Sequence, residues 1–265
     1  MTTIIPGIRQ GLILLCTLLL AACAVSPTGR QQLLMMSPQQ LNSMGEQAFA
    51  QLVRTKPVVR GGPATAYVEC VTRAVTSMVP GRWRVALLQD PSANAFALPG
   101  GNIGVNTGIF QVARNQDQLA AVIAHEVAHV LSNHHNERAS QQMAVQGGLA
   151  AAGAVGGGDL SPSTMQALGL GAQYGILLPY GRTQEAEADV VGLDLMARAG
   201  FDPRQSIALW QNMSRAGGAR PPEFLSTHPA HGTRIQGLQS STGRAMNVFQ
   251  QAQARGIRPD CDRLR

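Results

Sequence analysis

The run His125-Glu126-Val127-Ala128-His129 lies inside an otherwise small and apolar stretch, AAVIAHEVAHVL. Residues four apart on an α-helix project from one face, so His125 and His129 can present two imidazoles to one Zn²⁺ ion. Glu126 then stands beside the ion without ligating it, placed to take a proton from an attacking water. A chance match is the competing reading. It is disfavoured because a helix with apolar flanks would bury two histidines and a glutamate at a cost unless they are partnered. A catalytic zinc usually takes three protein ligands and leaves a fourth position open. The downstream candidate is Arg182-Thr183-Gln184-Glu185-Ala186-Glu187-Ala188-Asp189, which opens a helical pattern running to Ala199 and stopping at Gly200. Glu185 and Asp189 share a helix face. One carboxylate of such a pair can ligate the metal while the other accepts the second N–H of a ligand histidine and fixes its tautomer. An acidic first turn that complements the helix dipole is the plainer explanation, and it suits Glu187. It suits Glu185 and Asp189 less, because their face continues through Gly192, which permits close helix approach. Glu185 is therefore the expected third ligand to a single zinc per chain.

These segments, followed by Thr227-His228-Pro229, resemble in type and order the motifs of the HtpX, Oma and CAAX-prenyl-protease group of zinc endopeptidases (metallopeptidase family 48, gluzincin type). The resemblance spans about Asn94 to Arg234. It implies that His125, His129 and Glu185 bind zinc, that Glu126 is the general base, and that Asp189 supports a ligand from behind. Gly181 departs from the family, where a serine is common. The resemblance gives His228 two possible roles: donor to the oxyanion of the tetrahedral intermediate, or a fourth zinc ligand that latches the site shut. A turn histidine bonded to local backbone is the third possibility. Arg234 completes a His-Pro-x-x-x-x-Arg pattern and is expected as an ion-pair partner rather than a catalytic group. His134 and His135 lie past the metal face and are expected to be solvated or to cap the helix end.

The elements that must position these groups are legible in outline. Ser37-Pro38-Gln39-Gln40 marks a helix start, with a cap, a proline at the first position and a glutamine at the third; the helix should run to about Arg54. Ala64 to Met78 is expected as a helix with Tyr67, Val71 and Val75 on one face, and Arg82 to Gln89 alternates as a strand. Ala93 to Gly108 is expected as a strand, a glycine turn and a second strand, with Pro99 and the glycines favouring a sheet edge. In the resembling family such an edge pairs with extended substrate, which would make Asn102, Ile103, Gly104 and Val105 substrate-binding; an ordinary hairpin is the alternative. Asn115 and Gln118 open the HEVAH helix. Met143 to Gly158, Gly/Ala-rich and nearly uncharged, is expected as a loose helical hairpin or a flap near the membrane. Pro162 to Leu178 is expected to be helical, and Asp202-Pro203-Arg204-Gln205 to cap a helix reaching Arg215. No repeats are detected, and the chain ends too soon for an appended tetratricopeptide domain. The expected fold is α+β and mainly helical: a single gluzincin-type domain with a small antiparallel sheet bearing an edge strand at the cleft.

Composition and address narrow the function. Hydrophobic residues make up 45% and charged residues 14%, enough for a substantial core, which scarce aromatics leave to Ala, Leu, Val and Met. The net charge of +6 is almost wholly arginine, since Lys56 is the only lysine. These arginines are scattered without an aromatic stripe, so nucleic-acid binding is not expected. Arg9, the apolar run Gly11 to Leu20 and Leu20-Ala21-Ala22-Cys23 read as a lipoprotein signal over 1–22, with Cys23 lipidated, 23–36 a polar tether and 37–265 the peptidase domain. An ordinary signal peptide is the alternative. Ala24 after Cys23 favours the outer membrane, facing the periplasm, with the membrane reached through the lipid anchor. In that oxidising compartment Cys70 and Cys261 are expected to pair, two separate buried thiols being the alternative. The expected function is zinc-dependent endoproteolysis of unfolded or misassembled envelope proteins. The rival is a chaperone-like or scaffold lipoprotein with a structural zinc, against which the intact Glu126 argues.

Overall fold

The computed structural model describes residues 23–155, 180–216, 222–228 and 233–265. The signal segment 1–22, the helix expected over Pro162 to Leu178, residues 156–158, Pro229 and His231 lie outside the described residues.

Two short strands, β1 (Cys23–Val25) and β2 (Gln31–Leu33), pair antiparallel. The stretch 23–36 reads in sequence as a free tether and is instead a hairpin docked on the body. The Gln32 amide group donates to the Ser132 carbonyl at 2.6 Å, Met35 N donates to Ser140 Oγ at 2.8 Å, and Asn136 Nδ2 donates to the Met36 carbonyl at 2.7 Å. Buried polar groups behind the zinc-helix candidate need partners, and this segment supplies them.

Helix α1 (Pro38–Thr55) begins with the expected capping box: Ser37 Oγ accepts from the Gln40 amide, and Gln40 Oε1 accepts from the Ser37 amide. Helix α2 (Gly62–Thr76) buries Tyr67, Val71 and Val75 on one face, as the periodicity requires. The main sheet runs β3 (Val58–Val59), β4 (Arg84–Leu88), β6 (Asn102–Asn106), β5 (Ala95–Leu98) in space. β5 and β6 form the expected antiparallel hairpin, turning at Gly100 and Gly101, which take φ of +82° and +78°. β6 inserts between β5 and β4 and runs parallel to β4, Ala86 opposite Gly104, so the sheet is mixed rather than wholly antiparallel. This corrects the edge assignment. Asn102, Ile103, Gly104 and Val105 lie on an interior strand with bonded neighbours on both sides, and the edge strand of this hairpin is β5.

Helix α3 (Gln116–Leu131), capped by Asn115 Oδ1 on the Gln118 amide at 2.8 Å, is buried from Gln118 to His129. Asn133, at φ 53°, turns the chain into α4 (His134–Val155), which covers most of the Gly/Ala-rich segment as one helix rather than the expected hairpin. Helix α5 (Arg182–Arg198) lies across α3 and ends at Gly200, φ +83°, in a left-handed cap. Helices α6 (Gln205–Ala216), α7 (Glu223–Thr227) and α8 (Thr233–Ala254) complete the body. One core joins the α2 face, Ile103, Val105, Leu119, Ile123, Met196, Phe201 and Leu209. No helix among the described residues is long and apolar enough to cross a membrane.

A disulfide joins Cys70 of α2 to Cys261, 191 residues later, with Cα atoms 5.7 Å apart. Around it Asp262 Oδ1 accepts from the Tyr67 hydroxyl and from the Gln116 amide, tying the tail to α2 and to the start of α3. Closing so long a loop stabilises by about 3–5 kcal/mol. The double change Cys70→Ser with Cys261→Ser should lower the thermal midpoint accordingly, measured without reductant. An unchanged midpoint would show that the bond adds nothing.

Candidate metal centre

The centre exists because α3 and α5 approach closely. A Cβ on Gly192 would lie 3.1 Å from both Cα and N of His125, so a larger residue there would press the α5 backbone a few tenths of an ångström away from α3. One turn of α3 then faces one turn of α5. His125, His129 and Glu185, with His228 at the end of α7, present ligand atoms that all lie within 4.8 Å of one another, and all four residues are buried. His125 Nε2 is 3.0 Å from His129 Nε2 and 3.3 Å from His228 Nδ1. Glu185 Oε2 is 3.4 Å from His125 Nε2, and its Oε1 is 3.4 Å from His129 Nε2 and 2.9 Å from His228 Nδ1.

The donor set fits zinc, which takes imidazole nitrogen and carboxylate oxygen in a compact four-fold arrangement. The charges fit as well. Glu126, Glu185 and Asp189 are three buried carboxylates at the cluster, of which Arg234 pairs Glu185 and Asp189, and a divalent cation among them would add favourable charge. Burial alone would raise the Glu185 carboxyl, but the three facing imidazoles hold it well below the usual carboxylate range. Burial and Arg234 push the His125 imidazole down, yet Asp189 and Glu185 outweigh them and raise it to about 9. Burial drives His129 well below its ordinary value.

Outer contacts fix which ring atoms face inward. His125 Nδ1 lies 3.1 Å from Asp189 Oδ1, leaving Nε2 for the centre. Arg234 donates to both Asp189 oxygens at 2.7 Å and also bonds Glu185, its guanidinium stacked 3.7 Å over the Trp210 ring. Arg234 is thus an ion-pair partner that orients both the carboxylate behind one histidine and the carboxylate facing the pair.

Glu126 is buried on the sheet side. Its Oε2 accepts from the Ala97 amide of edge strand β5 at 3.2 Å. Its Oε1 has no hydrogen-bond partner, although His228 Nε2 lies 3.3 Å away without the alignment for one. Burial pushes the Glu126 carboxyl up, against the pull of His228 and His125. Ring stacking on Phe224, centroids 4.4 Å apart, holds His228 in place.

Three residues behave differently from the sequence expectation. His134 and His135 are buried rather than solvated, since past the left-handed turn at Asn133 their rings meet His129 and Tyr180. His134 Nδ1 sits 2.8 Å from His129 Nδ1. His135 Nε2 bonds the Tyr180 hydroxyl at 2.8 Å, and burial with nearby Arg138 depresses its imidazole to about 3. Glu187 is buried instead of decorating an exposed first turn, and meets His134, Thr28 and Arg30. Two further groups carry no expectation from sequence: Tyr180, stacked on His129 with centroids 3.7 Å apart, and the Ala97 amide. The crowding of four histidines into residues 125–135 is the available signal for His134; nothing in the sequence marks Ala97 or Arg30.

The model of peptidase family M48 matches residues 65–242, a span that holds every residue of the cluster. The chain is 39% identical over 184 residues to the mitochondrial metalloendopeptidase OMA1 of Schizosaccharomyces pombe, covering 67% of this chain and 52% of that protein. It is 31% identical over 244 residues to the mitochondrial metalloendopeptidase OMA1 of Homo sapiens, covering 84% and 47%. It is 30% identical over 204 residues to the β-barrel assembly-enhancing protease of Escherichia coli, covering 72% and 42%. The chain spans about half the length of the curated relatives it matches.

Glu185→Ala removes a ligand oxygen and should strip zinc on dialysis, whereas Asp189→Asn should weaken binding about 10–100-fold. Metal content per chain across a chelator series separates the two. Full zinc retention by Glu185→Ala would exclude it as a ligand.

Proposed function

The chain belongs to peptidase family M48, and from that premise we propose that it is a zinc metalloendopeptidase. Its substrates in this reading are unfolded or mislocalised cell-envelope proteins, met at the periplasmic face of a bacterial outer membrane to which a lipid on Cys23 anchors it. The observation that carries the enzymatic part is Glu126: a buried carboxylate beside the donor cluster, fixed through one oxygen and unpartnered at the other. A purely structural metal site has no use for such a group. The lipobox-like Leu20-Ala21-Ala22-Cys23 and the Cys70–Cys261 bond support an oxidising envelope compartment. A relative named for enhancing β-barrel assembly supports envelope substrates.

His125, His129 and Glu185 would hold the zinc, which supplies Lewis-acid activation of water and of the scissile carbonyl. Glu126 Oε1 takes the proton from the attacking water, and the same carboxyl then delivers it to the leaving amine. Burial favours this cycle, since it raises the Glu126 carboxyl toward the range where it can hold a proton mid-reaction. The Ala97 amide keeps the carboxylate aimed. Substrate would add to the outer edge of β5, reading backbone rather than side chains, which suits broad specificity.

His228 is seated within this cluster. His228 Nδ1 meets Glu185 and His125, and the same short helix is tied to the strand entrance, where the Phe224 amide donates to the Ala93 carbonyl at 3.1 Å. That geometry supports His228 as a latch occupying the fourth ligand position. A chaperone-like lipoprotein with a permanently closed zinc site is the reading this closure would favour if Glu126 were idle.

Glu126→Gln should leave zinc near one per chain and abolish cleavage of an unfolded protein such as casein; retained proteolysis would remove Glu126 as the base. His228→Ala should raise basal proteolysis at matched zinc occupancy if His228 is a latch. A fall on the order of 10²–10³-fold would instead make it an oxyanion donor, and equal rates would exclude both roles.

A further inference from the structure

The two histidines of α3 are supported from behind in different ways. His125 gives its Nδ1 directly to Asp189. His129 Nδ1 faces another imidazole, His134 Nδ1, at 2.8 Å, and His134 Nε2 lies 3.1 Å from Glu187 Oε2. A carboxylate only accepts hydrogen bonds, so the proton on His134 sits at Nε2. Nδ1 of His134 is then a lone pair and accepts the Nδ1 proton of His129. His129 is left with a bare Nε2, the atom that faces His125 and Glu185. With His134 neutral, the proton inventory along Glu187, His134 and His129 has this one arrangement, and it is the one that makes His129 a ligand.

Glu187 is itself fixed by the N-terminal hairpin. Thr28 Oγ1 donates to its Oε1 at 2.6 Å, and Arg30 Nε and Nη2 donate to its Oε2 at 3.1 and 2.9 Å. The same guanidinium bonds Glu137, with Nη2 2.7 Å from Oε2. Glu137 is braced in turn by Gln32 at 3.1 Å and Gln184 at 2.8 Å. Helix α5 therefore grips His129 from both ends: Glu185 at Nε2 and, through His134, Glu187 at Nδ1.

We propose that His134 and Glu187 are positioning residues for the metal ligand His129, and that Arg30 of the hairpin beginning at Cys23 locks them in place. The N-terminal segment is thereby part of the metal centre, and displacing it loosens zinc. This rests on His129 being a ligand, so the test begins with wild-type zinc stoichiometry.

In the purified full chain, zinc dissociation constants are measured by chelator competition, with the cobalt(II) visible spectrum as a reporter of ligand geometry. Thermal melts of the metal-free proteins check folding. His134→Phe keeps a ring but no acceptor and should weaken zinc about 10–100-fold and shift the cobalt bands. His134→Gln restores an acceptor and should recover most of the loss. Arg30→Met, on the partly exposed hairpin, should weaken zinc on the order of tenfold without touching α3, and it keeps the test decisive if His134→Phe does not fold. A wild type that binds one zinc, beside His134→Phe and Arg30→Met variants of unchanged affinity, overturns the proposal alone. Equal losses in His134→Phe and His134→Gln reduce His134 to packing and also overturn it. A wild type that binds no zinc overturns the ligand reading beneath it.

Discussion

At Gly192 the α5 backbone passes against His125 with a hydrogen where any other residue would place a carbon, and the metal centre depends on that contact. Helix axes usually sit 8–10 Å apart, set by the side chains between them. With none on Gly192 at this crossing, the reach of a glutamate and a histidine is enough to bring Glu185, His125 and His129 to a common point. The outer partners follow from the same approach, since Asp189 and Glu187 lie on the same helix as Glu185.

Close approach brings several carboxylates into one buried region, and buried charges persist only when paired. Two arginines meet this need from opposite ends of the chain. Arg234, on α8, takes Asp189 and Glu185. Arg30, on the first hairpin, takes Glu187 and Glu137. Guanidinium suits both places because its planar fork bonds two carboxylates at once and stacks on an aromatic face, as Arg234 does on Trp210. This accounts for the docking of residues that read as a polar tether: Gln32 and Arg30 find buried acceptors that would otherwise be unsatisfied.

Features with a local period or cap are legible in the sequence. The Ser37 capping box, the 3.6-residue face of Tyr67, Val71 and Val75, and the four-residue spacings in HEVAH and Glu185/Asp189 depend on neighbours along the chain. The departures share a different origin. The hairpin of β5 and β6 is legible, but which strand is the edge depends on β4 pairing with β6 across the intervening β5 segment. Glu187 looks like a dipole-complementing first-turn acid because its partners, Thr28 and Arg30, stand 159 and 157 residues away. The place of His134 turns on one backbone conformation, the left-handed Asn133. Propensity describes such a residue as a helix end without saying where the next helix will point.

The edge strand beside Glu126 bears on what kind of chain the proposed protease would take. Three contacts frame the site: the Ala97 amide on Glu126, His228 on Glu185, and the Phe224 amide on the Ala93 carbonyl. Two of the three involve the backbone of β5 or the residues leading into it. A folded protein offers its own backbone groups already paired, so it cannot pair with the β5 edge without first breaking its own. An extended, unfolded segment presents free amides and carbonyls at the two-residue spacing of a strand, and in this reading pairs with β5 beside the bond from the Phe224 amide to Ala93. Because Phe224 and His228 sit on the same turn and stack on each other, displacing one disturbs the other. In the proposed protease, selectivity for unfolded chains then needs no side-chain pocket. It follows from an edge strand that pairs with backbone, beside the turn that carries His228.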